Sequence, residues 1–470
     1  MTQTIKTDIC VIGAGSGGLS VAAGAVQMGA QVVLLEGGKM GGDCLNYGCV
    51  PSKALIAAAS QAHAMTSGAA LGVAPAAPDV DYAAAMDHVR RAIETIAPVD
   101  SQERFEGLGV RVIREWGRFI SDREVQAGPY VIRARRFVVA TGSAPLVPPI
   151  PGLDTVPYLT NETLFDLRER PDHLLIIGGG PIGIEMAQAH RRLGCAVTVI
   201  EGDKALGRDD PEAAALVLGK LRDEGVRIVE GAQAEKVTGG DGITVETGQG
   251  AFTGSHLLVA VGRKVNTDGL DLHKAGVKTD RGVVVGDDLR SSNRRIYAVG
   301  DAAGRQQFTH VAGYHAGVVV RALALGLPAR AKDAHLPRAT YTDPELAQVG
   351  LTEAEARTEY GGRLEVVRAE YAENDRAIAT GRTTGFVKVM VVGGRPVGAT
   401  IVGAEAGDLA ATWSLVIANK LKMSAVSAMV APYPTLAELN KRAAGAYFSP
   451  KLFDNPTVKR VVGLVQRLLP

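Results

Sequence analysis

The chain is short of cysteine, of net charge and of long apolar runs, and each shortage removes a class of protein. Four cysteines in 470 residues are too few for a secreted disulfide scaffold, so a cytoplasmic setting is expected. Lysine and arginine number 51 against 50 aspartates and glutamates, a formal charge of +1, which leaves no basic footprint for nucleic acid. No apolar run approaches the roughly 20 residues of a transmembrane helix. Only a few mostly polar residues precede the strand-like Asp8-Ile-Cys-Val-Ile12, which leaves no room for a signal peptide. The length suggests about three or four domains.

What is present is most informative from Gly41 to Lys53, Gly-Gly-Asp-Cys-Leu-Asn-Tyr-Gly-Cys-Val-Pro-Ser-Lys. Cys44 and Cys49 at this spacing let one thiol face a substrate while the other turns toward a cofactor, and the pair can close reversibly into a disulfide. A zinc site would need a second Cys or His pair, whereas Cys10 and Cys195 stand alone among apolar residues, so no metal site is expected. The helix-forming run from Ala54 to Ser60 places the pair on the first turns of a helix, whose partial positive charge lowers a thiol pKa.

Two further segments read as strand, tight turn, helix, strand. In the first, Gly13-x-Gly15-x-x-Gly18 follows an apolar strand and Glu36 ends the next one. Gly13 permits the turn, Gly15 lets a pyrophosphate approach the backbone, and Gly18 allows close helix packing. The pattern recurs at Gly178, Gly180 and Gly183, with Glu201 ending the following strand. Two units mean two dinucleotides. A carboxylate at Glu201 accepts from the free 2′-hydroxyl of NAD and repels the 2′-phosphate of NADP, which favours NADH, although Lys204 and Arg208 lie close in sequence.

These segments, together with Ala298-Val-Gly-Asp301, the Tyr341–Gly350 stretch and Pro434-Thr-Leu-Ala-Glu438, resemble the FAD-dependent pyridine nucleotide-disulfide oxidoreductases. That is the family of dihydrolipoamide dehydrogenase, glutathione reductase and mercuric reductase. The resemblance implies an α/β fold with two Rossmann-like dinucleotide-binding domains and a C-terminal α+β dimerisation domain that builds a homodimer. The expected boundaries are an FAD-binding domain over 1–150, an NAD(P)-binding domain over 151–265, a central domain completing the FAD site over 266–336, and an interface domain over 337–470. It further implies FAD in the first unit, NAD(P)H in the second, Asp301 on the ribityl hydroxyls, and strand-end turns at Thr141-Gly142 and Gly262.

By the same resemblance electrons pass from NADH through FAD to the Cys44–Cys49 disulfide and on to a thiol-linked substrate. Cys49 matches the flavin-facing thiol, Cys44 the interchange thiol, Lys53 the lysine beside the flavin, and Glu185 its ion-pair partner, where the plain alternative is an exposed helix acid. The departure is at the C-terminus. Dihydrolipoamide dehydrogenase and glutathione reductase carry a histidine before Pro-Thr as the acid–base catalyst, with a Glu following; this chain has Tyr433, keeps Glu438, and has no histidine after His335. Tyr433 resembles mercuric reductase, yet no cysteine follows Cys195 to form that enzyme's C-terminal metal-delivering pair. The expected substrate is a small-molecule or protein-bound thiol or disulfide, or a thiol-bound metal ion. The competing expectations are a diaphorase or transhydrogenase reducing quinones or another nicotinamide, and a redox-responsive binding protein. Finally, Val458–Leu469 shows apolar residues at helical spacing with Lys459, Arg460 and Arg467 interspersed; a basic amphipathic end of this kind can touch a membrane surface, and a helix folded onto its own domain is the commoner outcome and the one expected.

Overall fold

The computed structural model describes residues 3–469. Continuous apolar runs such as Val32–Leu35 are buried on both faces, as parallel strands covered by helices require. The first sheet carries five parallel strands in the order 111–113, 32–35, 3–12, 130–139 and 296–298, and an antiparallel hairpin of 117–121 and 124–127 extends it. Its last parallel strand arrives from far along the chain. Residues 266–336 therefore share a core with the first nucleotide unit: Leu270, Leu272, Val283 and Ile296 pack with Ile5, Cys10 and Phe137.

A second parallel sheet has the order 227–229, 196–200, 173–177 and 256–259, with the Pro181–Arg192 helix following its third strand. Pro181 starts that helix where a missing N–H costs nothing. The helices Cys49–Thr66 and Tyr82–Ile96 pack against this unit, with Leu55, Ala59, Met86 and Val89 buried beside Ile184 and Ala187.

The C-terminal part is a five-stranded antiparallel sheet, 337–340, 345–350, 395–403, 386–392 and 364–370 in order. The strand Phe386–Val392 is buried along nearly its whole length. The reason is that both faces are covered. Val387, Val389 and Val391 pack with Trp413, Leu439 and Ala443, while Phe386 shares a core with Ala213, Val217 and Leu221 of the second nucleotide unit.

Lys388 lies on that second face with its side chain only 6% exposed. Its Nζ sits 2.8 Å from Asp210, 3.1 Å from Glu353 and 3.2 Å from Glu212. Asp210 also caps the Pro211–Asp223 helix by accepting from the Glu212 N–H at 3.1 Å, so one lysine fastens a helix start to the sheet. The C-terminal helix corrects an expectation. It spans Pro456–Leu468 and buries no residue, so it does not fold onto its own domain.

Replacing Lys388 by Met keeps the stem and removes the charge, leaving three carboxylates facing one another. The expected cost is about 3–5 kcal/mol, as for breaking a buried ion pair. Thermal denaturation should show a midpoint several degrees lower, and an unchanged midpoint would mean that the cluster adds nothing to stability.

Candidate active site

The two glycine triplets divide into glycines the fold needs and glycines it does not. A Cβ on Gly13 would lie 2.4 Å from the Ala140 oxygen, and one on Gly18 would lie 1.9 Å from the Gly13 oxygen. At Gly15 the nearest atom would be Gly42 Cα at 3.8 Å. The second unit repeats this: Gly178 and Gly183 would clash at 2.4 and 2.0 Å, while nothing lies within 4 Å of a Cβ on Gly180. Gly15 and Gly180 cap the N-termini of their helices, and the open space beside each is suited to a pyrophosphate reaching the backbone amides. The residues present therefore fit two dinucleotides.

The strand-end acids are equally matched. Glu36 accepts from the Ala14 and Gly38 N–H groups, both at 2.7 Å. Glu201 accepts from Gly179 at 2.6 Å and Asp203 at 2.9 Å. Each carboxylate is thereby fixed beside its glycine turn. The exposed Trp116 ring covers Gly37 next to Glu36, so closely that a Cβ on Gly37 would lie 2.2 Å from it.

Asp301 lies in a short turn, Gly300–Ala303, directly after the strand that completes the first sheet. Ser143 donates to it at 2.5 Å, and Arg263 donates to the Ser143 hydroxyl at 2.7 Å and carbonyl at 2.8 Å. The same guanidinium reaches Asp43, next to Cys44, at 3.0 Å. Burial pushes the Asp301 carboxyl up, against the Ser143 hydrogen bond and the Arg263 charge. Thr141 donates to the Asn266 carbonyl at 2.6 Å, and Gly142 and Gly262 turn the chain with φ of 66° and 138°. These strand-end turns thus gather around Asp301 and the cysteine segment.

The cysteines sit on two helices where one was expected. Cys44 lies in the short helix Gly42–Asn46, and Cys49 is the first residue of the helix Cys49–Thr66. Both are free thiols, with Cys49 the more exposed, while Cys10 and Cys195 are buried. A hydrogen bond from Cys44 holds the Cys49 thiol down to about 6 against the effect of burial, with help from the Thr309 hydroxyl at 3.3 Å and the Lys53 charge. The Cys44 thiol is correspondingly pushed up, first by its bond to Cys49 and then by burial. The two thiols share a hydrogen bond and titrate as a pair, with the anion favoured on Cys49.

Lys53 stands one turn further along the Cys49–Thr66 helix. Its Nζ lies 2.7 Å from Glu185, whose side chain is 7% exposed, so Glu185 is a buried partner and no surface acid. The other Glu185 oxygen accepts the Tyr341 N–H at 2.9 Å, and the Tyr341 ring lies 4.4 Å from the Lys53 ammonium.

Tyr433 and Glu438 are elsewhere. Tyr433 is 71% exposed and donates to Asp375 at 2.8 Å, and Glu438 starts the Glu438–Phe453 helix, accepting from the Thr435 N–H at 3.4 Å. The Tyr433 hydroxyl is held above its ordinary range, chiefly by the Asp375 carboxylate. Among the described residues, no hydrogen bond or ion pair joins either residue to the cysteine pair of the same chain.

Residues 7–316 match the pyridine nucleotide-disulphide oxidoreductase family, and residues 336–444 match its dimerisation domain. The chain belongs to this family, and it is an oxidoreductase of the class that uses FAD and NAD(P)H. It is 35% identical over 458 residues to mercuric reductase of Streptomyces lividans, covering 94% of this chain and 96% of that one. It is 33% identical over 448 residues to mercuric reductase of Lysinibacillus sphaericus, covering 93% and 82%. Two solved structures are similar. LpdA from Mycobacterium tuberculosis has a TM-score of 0.86 at 26% identity, over 93% of this chain and 99% of that one. The HOCl-induced flavoprotein disulfide reductase RclA from Escherichia coli has a TM-score of 0.83 at 27% identity, over the same shares.

Thr309, Ser143, Arg263, Asp375 and Tyr341 escaped the sequence reading in their contacts with these groups. Thr309 begins the helix Thr309–Leu325 and meets Cys49 across 260 positions, a proximity that no local pattern encodes. Replacing Thr309 by Val keeps its shape and removes the hydroxyl. In a Cys44→Ser background, where Cys49 is the one unburied thiol, the midpoint for alkylation by iodoacetamide should rise by about 0.5–1 pH unit, the equivalent of one hydrogen bond to a thiolate. An unmoved midpoint would mean that Thr309 does not stabilise the thiolate.

Proposed function

We propose that the chain is a cytoplasmic, homodimeric NADH-dependent disulfide reductase in which Cys44 and Cys49 pass electrons to a thiol-linked substrate. The placement of the pair carries this reading: Cys49 opens a helix beside the Thr309 hydroxyl and the Glu185-held Lys53, Cys44 lies in the short helix just before it, and that short helix starts against the Gly15 turn, while the lowered Cys49 thiol agrees with this geometry. Gly15, Glu36 and Asp301 would hold FAD, which when bound would supply hydride acceptance from the nicotinamide and two-electron transfer to the pair. In net terms a hydride and the Cys44–Cys49 disulfide give one thiol, Cys44, and one thiolate, Cys49.

Cys44 then attacks the substrate sulfur as its proton passes to Cys49 along their hydrogen bond. The substrate disulfide breaks, its second sulfur leaves as a thiolate and takes that proton, and Cys49, again a thiolate, attacks Cys44. This releases the first substrate sulfur as a thiolate and restores the Cys44–Cys49 disulfide. Lys53, held by Glu185, keeps a positive charge near Cys49 throughout.

Tyr433 of one subunit, steered by Asp375, is assigned to the partner's cysteine pair, since in its own chain it contacts neither thiol. A phenol with an ordinary pKa of about 10 is a poor proton shuttle at neutral pH. Dihydrolipoamide oxidation should accordingly run about a hundredfold or more below a histidine-bearing relative assayed alongside. A thiol-bound metal ion or an unusual disulfide, which needs a polar hydroxyl beside Cys44, suits the site better; the relatives include mercuric reductases.

The test is a substrate panel of Hg²⁺, Cu²⁺, lipoamide, oxidised glutathione, other disulfides and quinones, run with NADH and NADPH. The Cys44→Ser and Tyr433→Phe variants are assayed in parallel. The account expects a preference for NADH of about tenfold or more, set by Glu201 and worth about 1.4 kcal/mol. Turnover of the true substrate should be lost in Cys44→Ser and depressed in Tyr433→Phe, with NADH reduction of the flavin normal in both. Quinone reduction surviving in Cys44→Ser as the one rapid activity would make the protein a diaphorase.

A further inference from the structure

The C-terminal helix Pro456–Leu468 presents an exposed apolar face that the site does not use. Asn455 caps it, accepting from the Thr457 N–H at 2.9 Å, and Pro456 opens its first turn, so the segment is set up as a helix by its own sequence. At about 100° per residue, Val458, Val461, Val462, Leu464, Val465, Leu468 and Leu469 fall within one arc of roughly 160°. Lys459, Arg460, Gln466 and Arg467 occupy the opposite face. The apolar arc is open: Val461 is 54% exposed, Leu464 57% and Leu468 72%. Leu452 and Phe453, at the end of the preceding helix, add 48% and 68% exposed side chains at its base.

We propose that this helix binds the anionic surface of a lipid bilayer, lying in the plane of the interface with its apolar arc among the acyl chains. Charge decides the partner. No acidic residue follows Asp454, so every charged side chain of the helix is a cation, placed to meet lipid phosphates on either side of the buried stripe. The helix is about 20 Å long, too short for a hydrocarbon core of about 30 Å, so it lies on the membrane and does not span it. A second copy of the chain is a poorer occupant. The matched dimerisation domain ends at residue 444, before the helix begins, and a second copy of the helix offers no acid with which these cations could pair.

Flotation of the full-length, FAD-loaded protein with extruded vesicles tests this independently of the substrate. Binding to vesicles of phosphatidylglycerol and phosphatidylcholine in equal parts should be at least about tenfold tighter than to phosphatidylcholine alone, and should weaken at high salt. The triple variant Val461→Asp, Val465→Asp, Leu468→Asp should stay in the soluble fraction, with NADH oxidation and particle mass by light scattering unchanged. Reversing Lys459 and Arg460 to Glu should remove the preference for anionic lipid. Equal recovery with both vesicle types, binding that persists in the triple variant, or a fall of that variant to monomer mass would each overturn the proposal. The last outcome would assign the helix to the subunit interface.

Discussion

Glu185 is the carboxylate on which three parts of the chain converge. It sits on the helix of the second nucleotide unit, takes Lys53 from the helix that begins at Cys49, and accepts the Tyr341 N–H from the turn between the first two strands of the C-terminal sheet. The contact is continued along the same helix face by Gln188, which exchanges two hydrogen bonds with the Asp343 backbone at 2.8 and 2.9 Å, and by Arg192, which reaches Asp343 at 3.0 Å. The spacing of these three residues puts them on one stripe of a helix. A buried acid paired in this way earns its place through geometry more than stability. It fixes the distance and direction from which a positive charge faces Cys49.

That charge is one of several acting on the thiol pair. Cys49 begins a helix of 18 residues, takes hydrogen bonds from Cys44 and Thr309, and faces Lys53. The two thiols titrate as a pair, with the anion favoured on Cys49. Arg263 links Asp43, next to Cys44, to Ser143, which holds Asp301. The segment that carries the thiols and the turn that carries Asp301 are thus one hydrogen-bonded unit, although they are separated by most of the chain.

Local chemistry was legible in the sequence, and long-range contact was not. The glycine triplets could be read because strand, turn and helix are adjacent in sequence, and because the space each glycine protects depends on its own turn. The cysteine pair could be picked out from its spacing, but its division between two helices could not, since the break at Tyr47-Gly48 is a matter of backbone angles. Glu185 was reached through resemblance, whereas its burial and its bond to Tyr341 depend on how the units pack. Lys388 was hidden by the opposite effect: a lysine amid valines reads as the polar side of an alternating strand, and only the carboxylates of another unit make its burial tolerable. Thr309 and Asp375 carried no signal, since a threonine and an aspartate near helix starts are ordinary caps. The C-terminal helix was read correctly as amphipathic and wrongly as packed, because periodicity reports which face is apolar and not what covers it.

The central claim is that electrons from NADH reach the Cys44–Cys49 pair. Counting thiols tests it most directly. The oxidised protein, denatured in an alkylating reagent, should label on two of its four cysteines, Cys10 and Cys195; after anaerobic treatment with one equivalent of NADH per chain it should label on all four. Peptide mapping should place the two gained labels on Cys44 and Cys49. The same count before and after NADH, with the flavin fully bleached, would contradict the account.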